Sequence, residues 1–547
     1  MDKLIEELKS VIKGQVLSDD KSLEHYSTDG SVFEMKPWAI VLPASKDDVV
    51  SLVKWVKHKK ESIDDPAIKE RLSITCRGRA TDQAGGPVND GIILRFPGYL
   101  DKILEIGEDF IRVEPGAIWG DVFEKLAPSG RYIPPYPASY KFATFGGGVA
   151  NNCGGEKTVK YGSIREWAEE IKMVLEDGSE VVLKNIRPDE LIKIQASDSL
   201  EGKIYREMSD LIIGNYNLIH NYQPKANKIS SGYWLIDIVG EDGGFNLARL
   251  ICGSQGTLGI VTEIKLKTIK RAPLNGLLLL SFDDLEKGGE AVPLILAYNP
   301  SALEMVDRFL IEMLQKEKPD SVKAIMEGKS QAPSLILMAE IEGDNIDTIQ
   351  KTISEIKEKV KDLTSDMREA YDKAEQDKLW EARRLAAVVA EGGTGPKKAL
   401  PFIEDSAVPP ENLAAYLSTL YGIMKKYQVD FSVWGHAGNG NLHLQPFLNL
   451  SDSADKVKLF NIAKEVYAAA LKLGGTLSAE HNDGLMRAPF LEDEFGPLYK
   501  VFEQVKNIFD PLDVMNPHKK IGVSLEFAEA HVRKDYTIDI PEPKPKS

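Results

Sequence analysis

Three glycine-rich segments within residues 76–262 constrain this chain more than any other feature. They are Cys76-Arg-Gly-Arg-Ala-Thr-Asp-Gln-Ala-Gly-Gly-Pro87, Thr144-Phe-Gly-Gly-Gly-Val-Ala-Asn-Asn-Cys-Gly-Gly155 and Cys252-Gly-Ser-Gln-Gly-Thr-Leu-Gly-Ile-Val-Thr262. Small residues let backbone approach a ligand closely, and successive N–H groups form a nest for an anion. Arg77 and Arg79 add charge suited to phosphate. The first segment lacks the Gly-Lys-Ser/Thr of a Walker A loop and is not a GxGxxG fingerprint at a helix start. Each alone reads as turn chemistry; together they predict an extended phosphate-bearing ligand lying along backbone.

Around them the pattern alternates. Ala39–Leu42 reads as a strand, Lys46–Lys60 as a helix capped by Ser45, and Ser73–Cys76 as a strand before the first glycine loop, which opens an α/β unit. Ile92–Phe96, Ile103–Ile106 and Phe110–Val113 read as strands, Trp119–Leu126 as a helix, and Ile171–Leu175 with Glu180–Leu183 as a hairpin. Composition shifts near residue 270. Beyond it, two strand–helix passages predict a ferredoxin-like α+β domain. Residues 367–400 read as helical up to the breaker Gly392-Gly393-Thr394-Gly395-Pro396, and Phe431–Leu448 as strand, loop, strand. The expected division is 1–270, 271–455, a helical segment 456–529, and a mobile tail 530–547 rich in Pro, Lys and Glu.

A second constellation lies in the last quarter. His436-Ala-Gly-Asn-Gly-Asn-Leu-His443 places a glycine-rich turn between two histidines, and Glu480-His481 follows. Strand, loop, strand brings His436 and His443 back to one place. Two imidazoles and a carboxylate suit Zn²⁺ or Mn²⁺ with open positions for substrate oxygens, and a neighbouring unligated histidine can act as base. Hydrogen-bonded core histidines satisfy the same pattern, so the spacing leaves both readings open.

Composition narrows the classes. Lys+Arg is 68 against Asp+Glu 84, a formal net charge of −16, which argues against a general nucleic-acid binder. Cys76, Cys153 and Cys252 are too few and too scattered for a four-cysteine iron–sulfur cluster or a disulfide scaffold, and they fit a reducing compartment. No run approaches the ~18 apolar residues of a spanning helix. The N-terminus reads as an amphipathic helix, so the expected location is cytoplasmic, with a peripheral place at the inner face of a membrane as the variant.

The three segments, in order, resemble the FAD-binding domain of vanillyl-alcohol-oxidase-type flavoproteins, and within these the D-lactate, glycolate and D-2-hydroxyglutarate dehydrogenase branch. The resemblance runs from Tyr26-Ser-Thr-Asp29 to Asn516-Pro517. It implies an α+β architecture: a two-part FAD-binding domain, a ferredoxin-like cap and a C-terminal helical segment returning to the flavin. It implies FAD held by Arg77, Gly78, Arg79, Ala80, Thr81, Asp82, Pro137, Ala138, Thr144, Gly146, Gly147, Ala150, Asn152, Gly154, Gly256, Gly259, Ile260, Val261 and Asn516. Thr81 stands where relatives with covalent flavin often carry His, so the FAD is expected to be non-covalent. His436, His443 and Glu480 take the place of metal ligands, His481 that of the base, and Arg383 in Leu379-Trp-Glu-Ala-Arg383 that of the substrate-carboxylate grip, with Arg384 adjacent. Phe402-Ile-Glu-Asp-Ser-Ala-Val-Pro409 matches the branch except for Ile403, where hydroxyglutarate enzymes have Lys. Other departures are Arg79-Ala80 for Gly-Gly, Gln255 for Glu, Asn439 for Asp, and Asn482-Asp483 for Gly-Ile.

The implied activity is FAD-dependent oxidation of a D-2-hydroxy acid, D-lactate first and glycolate next. Electrons then leave to a separate carrier: an iron–sulfur subunit, an electron-transfer flavoprotein, a quinone or a cytochrome. The chain is expected as a homo-oligomer or a subunit of a complex. The alternatives are a non-catalytic flavin relay subunit and an FAD-linked ether-lipid synthase.

Overall fold

The computed structural model describes residues 2–391 and 395–536. Apolar strands organise it into three main sheets. In the first, Ala39–Leu42, Ile92–Arg95 and Ile74–Arg77 run parallel, with Gln15–Leu17 antiparallel at one edge. Helix Lys46–Ser62 forms the crossover, and Ser45 Oγ accepts the Asp47 N–H at 3.2 Å as its cap. The chain returns to this sheet 440 residues later: Ile74 N–H donates to Val514 O at 2.8 Å, and Asn516 N–H donates to Ile74 O at 2.9 Å.

The second sheet is antiparallel and six-stranded. The third glycine-rich segment feeds directly into its strand Ile260–Lys267, which alternates buried and more exposed residues as a half-buried strand should. The second glycine-rich segment is a helix rather than a loop: Phe145–Asn151, capped by Thr144. Its glycines serve close approach. A Cβ on Gly146 would lie 2.7 Å from Pro115 Cβ, and Phe145 stacks on buried Trp119 at 4.1 Å between ring centroids.

The third sheet begins as the expected ferredoxin-like unit. Asp366–Ala370, Leu274–Phe282, Leu335–Gly343 and Ala302–Asp307 lie side by side in that order, all antiparallel, with helices Leu285–Leu296 and Ile346–Val360 in the two connections. Three strands then extend the Ala302–Asp307 edge to make seven: Phe431–His436, Asn441–Leu448 and Lys398–Ala399. Met305 pairs with Gly435 and Val306 with Trp434, so the hairpin carrying His436 and His443 is zipped onto the ferredoxin-like core.

Two expectations are corrected. Residues 366–370 form an edge strand, and the helix starts only at Lys373, where Asp372 Oδ1 accepts the Ala374 N–H at 2.9 Å. The tail from 530 is packed as far as residue 536: Arg533 is buried, its backbone N–H donates to Val32 O at 2.9 Å, and Tyr536 Oη donates to Gly30 O at 2.8 Å. Residues 537–547 and Gly392–Thr394 of the breaker lie outside the described residues. Among the described residues no helix is long and apolar enough to cross a membrane.

Asp307 ties the hairpin to its surroundings. Its buried carboxylate accepts N–H groups from Leu310 and Val433 at 3.0 and 3.1 Å and the Tyr421 hydroxyl at 3.0 Å. Burial pushes its pKa up to about 7, despite these donors. A carboxyl raised this way stabilises the fold fully below its unfolded value and loses that contribution as pH rises through about 7. Asp307→Asn should therefore abolish part of the wild-type stability loss between pH 5 and pH 8, worth up to about 3 kcal/mol for the two units between pH 5 and the folded value of about 7. Urea midpoints at both pH values measure it, and parallel pH dependences in the two proteins would remove Asp307 as the cause.

Candidate functional site

The hairpin, its sheet neighbour and the 478–481 segment converge on one buried centre. Glu480 Oε1 lies 3.1 Å from His436 Nε2, 3.4 Å from His443 Nε2 and 3.8 Å from His481 Nε2. The far nitrogens of the first two rings are fixed: His436 Nδ1 donates to Glu304 Oε1 at 2.8 Å, and His443 Nδ1 donates to Glu404 O at 2.6 Å. Both Nε2 atoms therefore face Glu480. Donor atoms of His436, His443 and Glu480 all lie within 4.8 Å of one another. Two imidazoles backed by oxygen acceptors and one carboxylate are the donor set of an open divalent-cation site. The residues fit a metal.

A layer of buried charge surrounds this trio. Glu304 Oε2 accepts Arg383 Nε and Nη2 at 2.9 and 2.6 Å, so one carboxylate orients both His436 and Arg383. Arg383 lies over the Trp434 ring at 4.5 Å, whereas Arg384 is exposed and donates to Asp377 O, so of the two it is Arg383 that lies against this centre. Glu404 accepts from His481 Nδ1 and from fully buried Arg487. Asp405 Oδ2 collects Ser478 Oγ at 2.5 Å and the N–H groups of Ala479, Glu480 and His481 at 2.9, 3.0 and 2.8 Å. That single oxygen fixes the segment presenting Glu480 and His481.

Ionisation follows these contacts. Burial alone would raise Glu480 and Glu404, but Lys228 and His436 hold the first, and His481 and Arg487 the second, well below the usual carboxylate range. Burial opposes charge on His436 and His481, yet Glu304 and Glu480 raise the first. Glu404 and Asp405 push His481 up to about 10. The sequence pattern alone suggests a base poised near neutrality; the carboxylates packed around His481 instead hold a proton on its ring.

The glycine-rich segments also meet. Gln255 N–H donates to Ala150 O at 2.9 Å, Gly253 N–H donates to Val149 O at 2.8 Å, and Asn151 Nδ2 donates to Asp82 Oδ2 at 2.8 Å. Asn516 Nδ2 joins Gly86 O and Gln255 O at 3.2 and 2.7 Å. Ala80 takes φ 54°, and its carbonyl accepts the Gly30 N–H. A side chain on Gly78 would collide with Thr144 Oγ1, and one on Gly154 would lie 2.9 Å from Lys228 Cε. Pro137 and Ala138 sit in the turn closed by Tyr140 N–H to Pro137 O at 2.9 Å, while Gly256 and Gly259 take positive φ just before Ile260 and Val261. Asn152, at φ 52°, is pinned by Arg165 N–H and Ile229 O, half-buried Arg79 and Thr81 lie in the first segment, and Gly147 of the second is exposed.

Two residues here depart from expectation. Arg77 is spent on carbonyls of Tyr26, Thr28 and Pro87, so its guanidinium clamps the loop instead of facing a phosphate. Asp82 puts its own carboxylate on the Ala84 and Gly86 N–H groups at 2.8 and 3.0 Å. The cation facing this region is Lys519. It is buried without a hydrogen-bond partner, and burial brings its pKa down to about 8 although Asp29 and Asp82 oppose this. An orphaned ammonium and a cradle without Cβ atoms fit a dinucleotide diphosphate.

Sequence reasoning found the trio, His481 and Arg383. It did not single out Glu304, Lys228 or Arg487. The Phe402-Ile-Glu-Asp match offered a signal for Glu404 and Asp405, and Asn516-Pro-His-Lys519, which resembles the family's Asn-Pro-Gly-Lys segment, offered one for Lys519.

Residues 37–184 match the FAD binding domain family, and residues 275–520 match the family of FAD linked oxidases, C-terminal domain. D-2-hydroxyglutarate dehydrogenase of Pseudomonas putida is 28% identical over 93% of this chain and 51% of its own length. The chain thus spans about half the length of the D-2-hydroxyglutarate dehydrogenases it matches. Glycolate oxidase subunit GlcD of Bacillus subtilis is 26% identical, covering 90% of this chain and 91% of the relative. D-lactate dehydrogenase of Anaerostipes hadrus is 26% identical, covering 94% and 96%. Among solved structures, 4-ethylphenol oxidase from Gulosibacter chungangensis superposes with TM-score 0.69 at 16% identity over 96% of this chain and 98% of that one. Alkyldihydroxyacetonephosphate synthase gives 0.65 at 16% identity over 95% and 86%.

Asp405→Ala should leave Ser478 Oγ and the Glu480 and His481 N–H groups without their acceptor, the Ala479 N–H keeping the Asp405 carbonyl, and cost about 3 kcal/mol or more, since each buried donor left unmade costs roughly 1–3 kcal/mol. Urea denaturation of the metal-free protein reads this, and an unchanged midpoint would show that the 478–481 segment is fixed by other contacts.

Proposed function

Because the chain belongs to the FAD-linked oxidases of the vanillyl-alcohol-oxidase type, we propose that it oxidises a D-2-hydroxy acid to the 2-oxo acid. D-lactate is the first candidate and glycolate the next, with electrons passing to a separate carrier. The observation that carries this is the meeting of His436, His443 and Glu480 on the sheet face that also holds Arg383 through Glu304.

His436, His443 and Glu480 would hold the cation, zinc or manganese, whose Lewis acidity lowers the pKa of a substrate hydroxyl. FAD, bound without a covalent link, supplies the acceptor for the two electrons and hydrogen leaving C2. This chain's residues do the rest. Arg383 grips the substrate carboxylate, with Glu304 fixing the plane of its guanidinium. His481 takes the hydroxyl proton at Nε2, and Glu404 behind Nδ1 keeps the ring aimed. A cation held by His436, His443 and Glu480 would favour the unprotonated imidazole that this role needs. Buried Ile403 supplies no second cation for a dicarboxylate, which supports a small monoacid. The proposed acceptor is an iron–sulfur subunit, an electron-transfer flavoprotein, a quinone or a cytochrome. The GlcD relative is named a subunit, in line with work in a complex.

Anaerobic flavin bleaching by D- and L-lactate, glycolate and D-2-hydroxyglutarate tests the reading. D-lactate is expected to bleach and L-lactate to leave the spectrum unchanged. Bleaching by hydroxyglutarate alone overturns the substrate, and bleaching by none indicates a relay subunit. His481→Ala should retain FAD yet slow reduction by roughly 10²-fold or more. His436→Ala should lose bound metal by mass spectrometry, and full metal content would remove it as a ligand.

A further inference from the structure

Lys228 is a fully buried lysine that no catalytic role above uses. Its Nζ donates to Glu480 Oε2 at 2.5 Å and to Asn441 Oδ1 at 3.0 Å. Glu480 Oε2 is the oxygen turned away from the imidazoles, for Oε1 faces all three rings. The backbone carrying Lys228 cannot swing aside. Lys225 N–H donates to Gly474 O at 2.9 Å, Ser230 N–H donates to Ser478 O at 2.9 Å, and Ser230 Oγ donates to Ala479 O at 2.8 Å. Ser231 Oγ and Gly232 N–H engage Asp483 at 3.0 and 2.9 Å. Residues 225–232 are thus zipped along 474–483. From the other side Gly154 closes in, and a Cβ there would lie 3.3 Å from Glu480 Oε2.

We propose that Lys228 is the positioning residue of the cation centre: it occupies one oxygen of Glu480 so that a single oxygen is offered to the metal, and its charge balances Glu480 when no metal is bound. This rests on the metal reading of the trio. Two consequences follow. Glu480 binds through one oxygen, which leaves open positions for the hydroxyl and carboxylate oxygens of a 2-hydroxy acid. The centre also survives without metal, because removing one partner of a buried ion pair would strand a charge, whereas here the pair is internal.

The test compares wild type, Lys228→Met, Glu480→Gln and the double variant as FAD-loaded full chain, stripped by chelator and then titrated with Mn²⁺ or Zn²⁺. Metal-free Lys228→Met should melt lower by about 3–4 °C, because it strands the Glu480 carboxylate. Metal should restore most of that loss. It should also bind at least tenfold more tightly than to wild type by equilibrium dialysis and mass spectrometry, since a neighbouring positive charge is gone. The double variant should melt near wild type with or without metal, as a cycle isolating one charge pair requires. Equal destabilisation with and without metal, or a double variant as unstable as Lys228→Met, overturns the proposal by reducing Lys228 to a packing role. Should Lys228→Met only aggregate, a soluble double variant supports the pairing and an aggregated one overturns it. Wild type that takes up no metal overturns the metal reading itself; the cycle measured on metal-free protein still reports the Lys228–Glu480 pair, which tells the two failures apart.

Discussion

Four carboxylates, those of Glu304, Glu404, Asp405 and Glu480, stand in one desolvated volume, and the centre is built to answer them. Three permanent cations do so directly: Arg383 on Glu304, Arg487 on Glu404 and Lys228 on Glu480. Asp405 is met by backbone N–H groups and a hydroxyl instead. Four negative charges against three positive leave one uncompensated, and at an effective dielectric of ~20 a unit charge 4 Å away is worth about 4 kcal/mol. The imidazoles absorb the deficit, which is why His436 and His481 are both raised against the pull of burial. A divalent cation among the same atoms would make that proton affinity unnecessary, so metal binding and histidine deprotonation are one linked equilibrium.

How much of this was legible in the sequence depends on where the partners lie along the chain. His436 and His443 could be paired because a glycine-rich turn lies between them, and period-two alternation then puts both on one face. Glu480-His481 stood out by composition. Glu304 did not: it lies 132 residues before His436 and meets it only because Ala302–Asp307 happens to be the edge on which the hairpin docks. Lys228 sits in a polar loop with no periodicity, and its burial arises from the zipper with 474–483. Arg77 was misleading for the converse reason. A cation beside glycines suggests phosphate, yet three carbonyls of the surrounding turns claim its donors first. The ferredoxin-like unit was readable from local pattern, whereas its growth to seven strands required long-range pairing that no local pattern encodes.

The departures from the family pattern answer one another in space. Asn482 stands in place of Gly and takes φ 69°, a region asparagine tolerates better than most residues. Its Oδ1 accepts from Lys520, whose Nζ also donates to Gly232 O and Asp483 Oδ2, each at 2.6 Å. Asp483 is therefore not a stray charge but the counter-ion of Lys520. Gln255, in place of Glu, donates to Asn151 Oδ1 at 3.3 Å and accepts the Gly484 N–H at 2.9 Å. A glutamate could not make the first of these bonds. Three of the departures, Gln255, Asn482 and Asp483, thus share one hydrogen-bonded network joining the second and third glycine-rich segments to the segment that follows His481.

That network and the Lys228 zipper make the His436–His443–Glu480 centre a joint product of both halves of the chain: Lys228 and Gly154 come from the part carrying the glycine-rich segments, and the trio comes from the part beyond residue 270. Such a seam sets the distance between whatever lies along the glycine-rich backbone and whatever binds at Glu480, without any hinge at the centre. It also bears on ligand charge. Under the proposed reading, an entering 2-hydroxy acid brings another carboxylate to a volume where Arg383, Arg487 and Lys228 already carry one each. The positive charge that receives it must come from the cation, with Arg383 contributing direction more than net charge. Under that reading a monoanion would restore balance at the centre, whereas a dianion would leave one negative charge for further residues to meet.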